Sequence, residues 1–388
     1  MKKIISGIVV TLLLVGMLTL AFKIPPVKAS GTIYIRADGS VEGTTSIQTA
    51  DNVTYVFVAN INASLVVGRN NIIIDGNGYT LQGTWEYHSK GVDLSGRTNV
   101  TVQNATIKAF GYGIWLNYSS NNTVSGNNIT ANNWGGILLD SSSNNTVSGN
   151  NITANNGDGI SLYSSSNNTL SGNIVTANSM GIGISLYSSS NNTLSGNIVT
   201  ANSVGGMYLF SSSNNTLSGN IVTANGYGIF LVTSSNNNLS GNNVTANNGV
   251  GIGLIANSSN NSVFHNDFVN NAGQVYTERS NNAWDDGYPS GGNYWSDYSG
   301  VDLKNGPGQN QTGGDGKGDA PYIIDANNRD RYPLMTPTPV IPEFPSTIIL
   351  TLLMTLTTLA VALTKKRLLR HRCKGAFIQR LKSAYLKL

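Results

Sequence analysis

From Val100 onward, single apolar residues alternate with short runs of Asn, Ser, Thr and Gly, and that alternation itself repeats. The phrase Ser-Asn-Asn-Thr-Val-Ser-Gly-Asn-Asn-Ile-Thr-Ala-Asn-Asn, then Gly-Ile-x-Leu, returns with small changes. The apolar residue before Ser-Gly-Asn, or its equivalent, falls at Val124, Val147, Leu170, Leu194, Leu217, Leu239 and Val263, in steps of 23, 23, 24, 23, 22 and 24. Five residues on lies a second apolar series, Ile129, Ile152, Val175, Val199, Val222, Val244 and Phe268. A third, Ile114, Ile137, Ile160, Ile184, Met207 and Ile229, precedes each anchor by ten. Degenerate copies extend upstream through Val100 and Ile72–Ile74.

A period near 23 excludes propeller blades, which need about 40 residues. Leucine-rich repeats have the length, but their return segment carries a helix or 3₁₀ turn, whereas Asn, Ser, Thr and Gly prefer turns and short strands. The pattern predicts an all-β parallel β-helix of nine or ten coils, about 45 Å long at a strand spacing of about 4.8 Å. Each coil has three short strands that turn one or two apolar side chains inward.

Two Asn columns follow from the stacking: Asn127, Asn150, Asn173, Asn197, Asn220, Asn242 and Asn266, and Asn132, Asn155, Asn178, Asn202, Asn225, Asn247 and Asn270. They read as structural corners, since Asn tolerates a left-handed backbone and stacked amides hydrogen-bond along a column. In Gly-Ile-Ser-Leu-Tyr the Ile and Leu point inward, so Ser and Tyr point outward. One outward column then runs Asn117, Asp140, Tyr163, Tyr187, Phe210, Val232, and its neighbour runs Trp115, Leu138, Ser161, Ser185, Tyr208, Phe230. Six aromatics, Trp115, Tyr163, Tyr187, Tyr208, Phe210 and Phe230, thus fall on one outer face. They serve either to protect the ladder or as a platform for sugar rings.

Charge adds the setting. Of 388 residues only 11% are charged. Residues 365–388 hold nine Lys/Arg and no acid, and the first 28 residues hold four lysines. The stretch between carries ten basic and 19 acidic residues, with no Lys or Arg between Lys108 and Arg279. An acidic fold argues against nucleic-acid binding, which needs a basic face. Lys2-Lys3, an apolar run to Phe22 and Val27-Lys28-Ala29 read as a signal peptide over 1–29. The expected plan continues with β-helix repeats over 30–275, an acidic C-terminal cap over 276–336, a Pro-rich linker over 337–346, a transmembrane helix over 347–364 and a basic cytoplasmic tail over 365–388. The chain is therefore expected to be exported and anchored in the cell membrane, with the lone Cys373 inside and no disulfides outside.

Catalytic groups are sparse. From Ala109 to Asn266 the carboxylates are Asp140 and Asp158, which occupy different coil positions, roughly 16 Å apart along the sheet. That is too far for a glycosidase pair. Glu86-x-His88 sits in a loop and is a lesser candidate. Eight Asp lie in 285–330, and Asp302, Asp315 and Asp319 are candidate oxygen ligands for Ca²⁺. His88, His265 and His371 form no soft-metal cluster, so copper has no evident ligands. Seventeen Asn-x-Ser/Thr sequons suit glycosylation of an exported chain.

The coils resemble those of the NosD-type right-handed β-helix family, also described as a carbohydrate-binding and sugar-hydrolysis (CASH) domain. So do the entry segment Ile73–Leu81 and the closing blocks Gly292-Asn293-Tyr294-Trp295-Ser296-Asp297-Tyr298, Gly318–Asp325 and Arg331-Tyr332-Pro333-Leu334-Met335. The resemblance covers about residues 31–336 and implies a right-handed, pectin-lyase-like solenoid. Pro342-Glu343-Phe344 before the apolar span is similar to archaeal PEF-type sorting signals; the extension to Leu388 favours a plain anchor. Three functions follow: a surface-anchored, carbohydrate-binding or adhesive rod, which the missing acid/base pair favours; a polysaccharide lyase or glycoside hydrolase; and an accessory role in periplasmic copper-enzyme maturation.

Overall fold

The computed structural model describes residues 31–338. The expected signal peptide, transmembrane span, tail and most of the linker lie outside the described residues. So do His371 and Cys373. Among the described residues no helix is long and apolar enough to cross a membrane.

The repeat phrase folds as the alternation requires. Each central coil has a six-residue strand such as Gly135–Asp140, then three-residue strands such as Thr146–Ser148 and Asn151–Thr153. Strands of the same kind stack in parallel from coil to coil, forming sheets of twelve, eleven and ten strands. The register pairs like with like: Ile137 with Ile160, Val147 with Leu170, Ile152 with Val175. All three apolar series meet on the axis, and nearly every member is fully buried.

The six-residue strands build the twelve-stranded sheet, in which Val41–Glu42 alone pairs antiparallel. The other eleven mark eleven turns, against the nine or ten expected, and a rod of about 50 Å. The additional turns begin at Thr32–Ile35 and Ser64–Val67, which carry β-branched alternation without the Asn phrase, and end at Gly273–Thr277.

Polar ladders occupy the corners. Three Asn ladders run through the rod, one more than expected; the third is Asn122, Asn145, Asn168, Asn192, Asn215, Asn237 and Asn261. A Ser ladder, Ser119, Ser142, Ser165, Ser189, Ser212, Ser234 and Ser258, marks a fourth corner. Asn173 shows the wiring. Its Oδ1 accepts the backbone N–H and the Nδ2 of Asn150 at 3.1 and 3.0 Å. Its Nδ2 donates to Val147 O at 2.9 Å and to Asn197 Oδ1 at 3.0 Å.

Two expectations are corrected. The ladder that includes Asn247 continues to Asn271, at 2.8 Å, and not to Asn270. Asn270 takes the left-handed position before it, with φ 52°. More generally, the left-handed residue is the one before each ladder residue: Ser141 (φ 50°), Asn144 (58°), Gly149 (61°) and Ala154 (54°) precede Ser142, Asn145, Asn150 and Asn155. The turn there swings the next side chain inward, where its amide or hydroxyl is buried and must be paired.

The rod ends by closing its ladders. Asn271 donates to Gln274 Oε1 at 2.9 Å, and Asn282 N–H donates to Asn328 Oδ1 at 3.0 Å. Asn293 accepts from Asn266 at 2.9 Å and donates its own N–H to Asp330 at 2.7 Å. Asp330 also accepts Trp295 Nε1 at 2.9 Å and Tyr332 N–H at 3.0 Å. Burial pushes its carboxyl up to about 7, against those N–H donors. Phe268, Trp295 and Tyr322 stack in sequence beneath it, at 4.6 and 4.5 Å. The closing blocks are thus the stopper of the solenoid.

Candidate functional site

The outer face of the twelve-stranded sheet carries the feature that packing does not use up. The register aligns both columns read from the sequence, Asn117–Asp140–Tyr163–Tyr187–Phe210–Val232 and Trp115–Leu138–Ser161–Ser185–Tyr208–Phe230, though Leu138, Ser161 and Ser185 in the second are buried. Tyr163 and Tyr187 stack at 4.7 Å with 9° between their planes, and Tyr187 lies 5.7 Å from Tyr208 and 6.4 Å from Phe210. Tyr163 and Phe210 remain 41% and 40% exposed, so the rings are not buried by other parts of the described chain.

A third column was not foreseen. It lies near the start of the strands and runs Lys90, Tyr112, Gly135, Asp158, by register. In the later coils Gly205 sits beside Ile182, and Tyr227 is next in line. Its Gly205 is a gap for a ring: a Cβ there would stand 2.2 Å from the Tyr227 ring, as one on Gly253, next to Phe230 in the second column, would stand 2.2 Å from that ring. Tyr227 therefore lies across its neighbour and meets Phe230 at 5.3 Å and Tyr208 at 6.4 Å. The result is one continuous platform of Tyr163, Tyr187, Tyr208, Phe210, Tyr227 and Phe230.

Trp115 belongs to a second cluster nearer the N-terminal end. Tyr112 packs against Trp115 at 5.0 Å and against Trp134 at 6.4 Å. Trp134 stacks with His88 at 5.5 Å and meets Tyr87 edge-on at 4.9 Å. Lys90 Nζ sits 4.5 Å above the Trp115 ring and pairs with Asp93 at 2.9 Å.

Asp158 lies between the clusters. Ile182 N–H donates to its Oδ1 at 2.9 Å; Ser185 and Ser161 hydroxyls donate to its Oδ2 at 2.6 and 3.1 Å. Burial, and behind it the charge of Asp158 and neighbouring phenols, holds the Tyr112, Tyr163, Tyr187 and Tyr227 phenols above the usual tyrosine range. They stay neutral hydrogen-bonding groups near neutral pH. Asp140 pairs in register with Tyr163, five positions along from Asp158, so the two carboxylates do not converge.

The other carboxylates are engaged. Asp75 accepts from Asn77 N–H at 2.8 Å and Gln103 Nε2 at 2.9 Å. Glu86 is exposed, and His88 is held in the ring cluster. Asp302 accepts the N–H groups of Asp315 and Gly316 at 2.9 and 2.8 Å. Asp319 accepts from Lys304 N–H at 3.0 Å, and Asp315 from Gln309 Nε2 at 3.1 Å. These oxygens close turns, and a donor-lined carboxylate does not fit a calcium ligand set. Among the described residues no three His, Cys, Asp or Glu come together to hold a metal. His265 meets the Ser290 carbonyl at 3.1 Å, in a later coil than the cluster that holds His88. Among the described residues, these scattered donors do not make up a copper ligand set.

The sequons sort with the geometry. Each sequon Asn, such as Asn121, Asn144, Asn167, Asn191 and Asn214, is exposed or half-buried, whereas the ladder Asn are buried. The reason is the corner: Asn121, Asn144, Asn167, Asn191 and Asn214 are the left-handed residues that precede each buried ladder Asn, and they project outward. No sequon lies on the six-residue strand positions between Gly135 and Val232.

Comparison with known proteins agrees with the resemblance. Residues 179–300 match the family model "Periplasmic copper-binding protein (NosD)", and residues 56–222 match "Right handed beta helix region". The solenoid is a right-handed parallel one. No curated protein matches the chain. Among solved structures, a variant of the periplasmic alginate epimerase AlgG is 15% identical, with a TM-score of 0.45, over 65% of this chain and 84% of that one. The A-module of the Azotobacter vinelandii mannuronan C-5 epimerase AlgE6 is 15% identical, with a TM-score of 0.44, over 66% and 91%. The catalytic domain of a GH87 α-1,3-glucanase is 17% identical, with a TM-score of 0.44, over 63% and 59%. No activity or ligand is carried over from these structures.

Proposed function

We propose that this chain is an exported, membrane-anchored rod that binds carbohydrate on the outer face of its twelve-stranded sheet. The carrying observation is the continuous platform of rings from Tyr163 to Phe230 on the outer face of that sheet. Sugar rings present apolar C–H faces and hydroxyl edges. Flat rings edged by neutral phenols offer a complement to both. Between Gly135 and Val232 glycosylation would leave the platform strands unmodified, whereas the sequon Asn117 heads the same outward column two strands before Tyr163. A binding role is preferred to a catalytic one because Asp140 and Asp158 stand roughly 16 Å apart along the sheet, beyond the reach of a glycosidase pair. Copper delivery is not favoured by the donor set described above.

The test is a glycan array probed with the full chain and with a Tyr163→Ala/Tyr187→Ala/Phe210→Ala variant, alongside a reducing-sugar assay. Each deleted stacking ring should weaken binding by about 1 kcal/mol, so the triple variant should lose roughly a hundredfold in affinity. Its circular dichroism should be unchanged, because these rings face outward. Unchanged binding by the variant defeats the platform; sugar release by the wild type defeats the non-catalytic role.

A further inference from the structure

The platform is not electrically neutral, and this narrows its ligand. We propose that the carbohydrate it takes is an amino glycan, whose protonated amines sit between the aromatic faces and the Asp158 carboxylate. This inference rests on the carbohydrate-binding reading and names its ligand class.

Three observations carry it. First, Asp158 is held rigidly, but its donors are neutral: one backbone N–H and two serine hydroxyls orient the carboxylate without cancelling its charge. Second, no cation answers it. Neither Asp140 nor Asp158 belongs to an ion pair among the described residues, and the sequence has no Lys or Arg from Ala109 to Glu278. The nearest basic group in the third column, Lys90, is already paired with Asp93 and covered by its contact with Trp115. Third, aromatic rings stand around the carboxylate, and ring faces attract cations. Tyr112 lies two strands before Asp158 in the same column and Tyr227 three strands after it; Tyr163 and Tyr187 start five positions along, and the phenols of all four feel the Asp158 charge. A uronate or sulfated glycan would meet unscreened like charge here, and a neutral glycan would gain only stacking. An ammonium group gains both the carboxylate and the rings.

The test uses the full chain and three probes of matched length: a β-1,4-glucosamine oligosaccharide, its fully N-acetylated counterpart and an oligouronate. At low ionic strength the amino oligomer should bind about tenfold or more tighter than the acetylated one, and the oligouronate should not bind. Asp158→Asn keeps the shape and, through its one oxygen, the Ser185 contact, while Ile182 N–H loses its acceptor; with the charge gone the preference should shrink to about threefold or less. Binding of the acetylated oligomer should be little changed in that variant. Tighter binding of the acetylated oligomer or of the uronate overturns this inference and leaves the carbohydrate-binding reading standing. So does a preference that survives Asp158→Asn. Failure of all three probes overturns both.

Discussion

At the scale of the residue, the rod depends on a pair of neighbours at every corner. The first takes a left-handed backbone, and the second turns an amide into a column of its copies. The two Asn of Ser-Asn-Asn look alike in sequence, yet Asn144 is exposed at φ 58° while Asn145 is buried and bonded to Asn168 Oδ1 at 3.1 Å. This is why one ladder escaped the sequence reading: a doubled Asn reads as a turn, and only the backbone shows which copy points inward. Substitutions should separate the two roles. In Asn173→Ala the backbone N–H of Asn150 loses its acceptor, while Asn150 Nδ2 keeps Val124 O and Ser148 O, and Val147 O and Asn197 Oδ1 each lose a donor, all inside the rod. A buried orphan costs about 1–3 kcal/mol, so with the lost amide contacts a loss of about 2–4 kcal/mol is expected in guanidinium unfolding. Asn151→Ala, on an outward position, should stay within about 0.5 kcal/mol. Equal effects would mean that the ladder amides are not what holds the corners.

At the scale of the strand, two glycines of one sheet have opposite jobs. Gly159 faces inward; a Cβ there would come within 2.2 Å of Val175 Cγ1 and 2.7 Å of Gly183 O. Gly205 lies on the outer face, where a Cβ would strike the Tyr227 ring at 2.2 Å. Gly159→Ala must push on packed core, a loss of about 1–3 kcal/mol by thermal or chemical unfolding. Gly205→Ala can relieve itself by swinging Tyr227 outward. It should leave stability within about 1 kcal/mol while weakening glycan binding, because the platform is broken at that ring. The reverse pattern would show that the gap serves packing and not the ligand. The same gap explains what the sequence concealed of the site. Two columns were legible because Tyr, Phe and Trp recur at a fixed distance from Gly-Ile. The third runs Tyr112, Gly135, Asp158, Ile182, Gly205 and Tyr227 and does not look aromatic. Its Tyr227 ring becomes continuous with the platform only by lying across Gly205 of the adjacent strand. The fold was far more legible, since a period near 23 with one apolar residue per short strand leaves little choice but stacked coils.

At the scale of the whole molecule, each coil touches mainly its two neighbours, so stability is close to a sum of coil terms and interfaces. The ladders make that modularity strict in register, because every corner side chain must find its copy in the next coil. Removing residues 124–146 takes out 23 residues, one full period, and joins Thr123 to Val147, which restores the repeat phrase. Asn122 then stacks on Asn168, and Tyr163, Tyr187, Phe210 and Asp158 all remain. This shortened chain should fold with an unchanged β-sheet spectrum and retain glycan binding, with stability lower by about one interface term. Removing residues 124–135, about half a period, should give no folded rod. It brings outward Ser, Thr and Asn to positions where Val and Ile meet on the axis, and it breaks all the ladders at once. Circular dichroism and limited proteolysis of the two deletions decide the matter. If both collapse alike, the coils do not act as independent layers, and stability must come from the closing stopper around Asp330 acting on the whole length. If only the half-period deletion collapses, the stopper's task is local: to pair the last amides and shield the last open strands from edge-to-edge association.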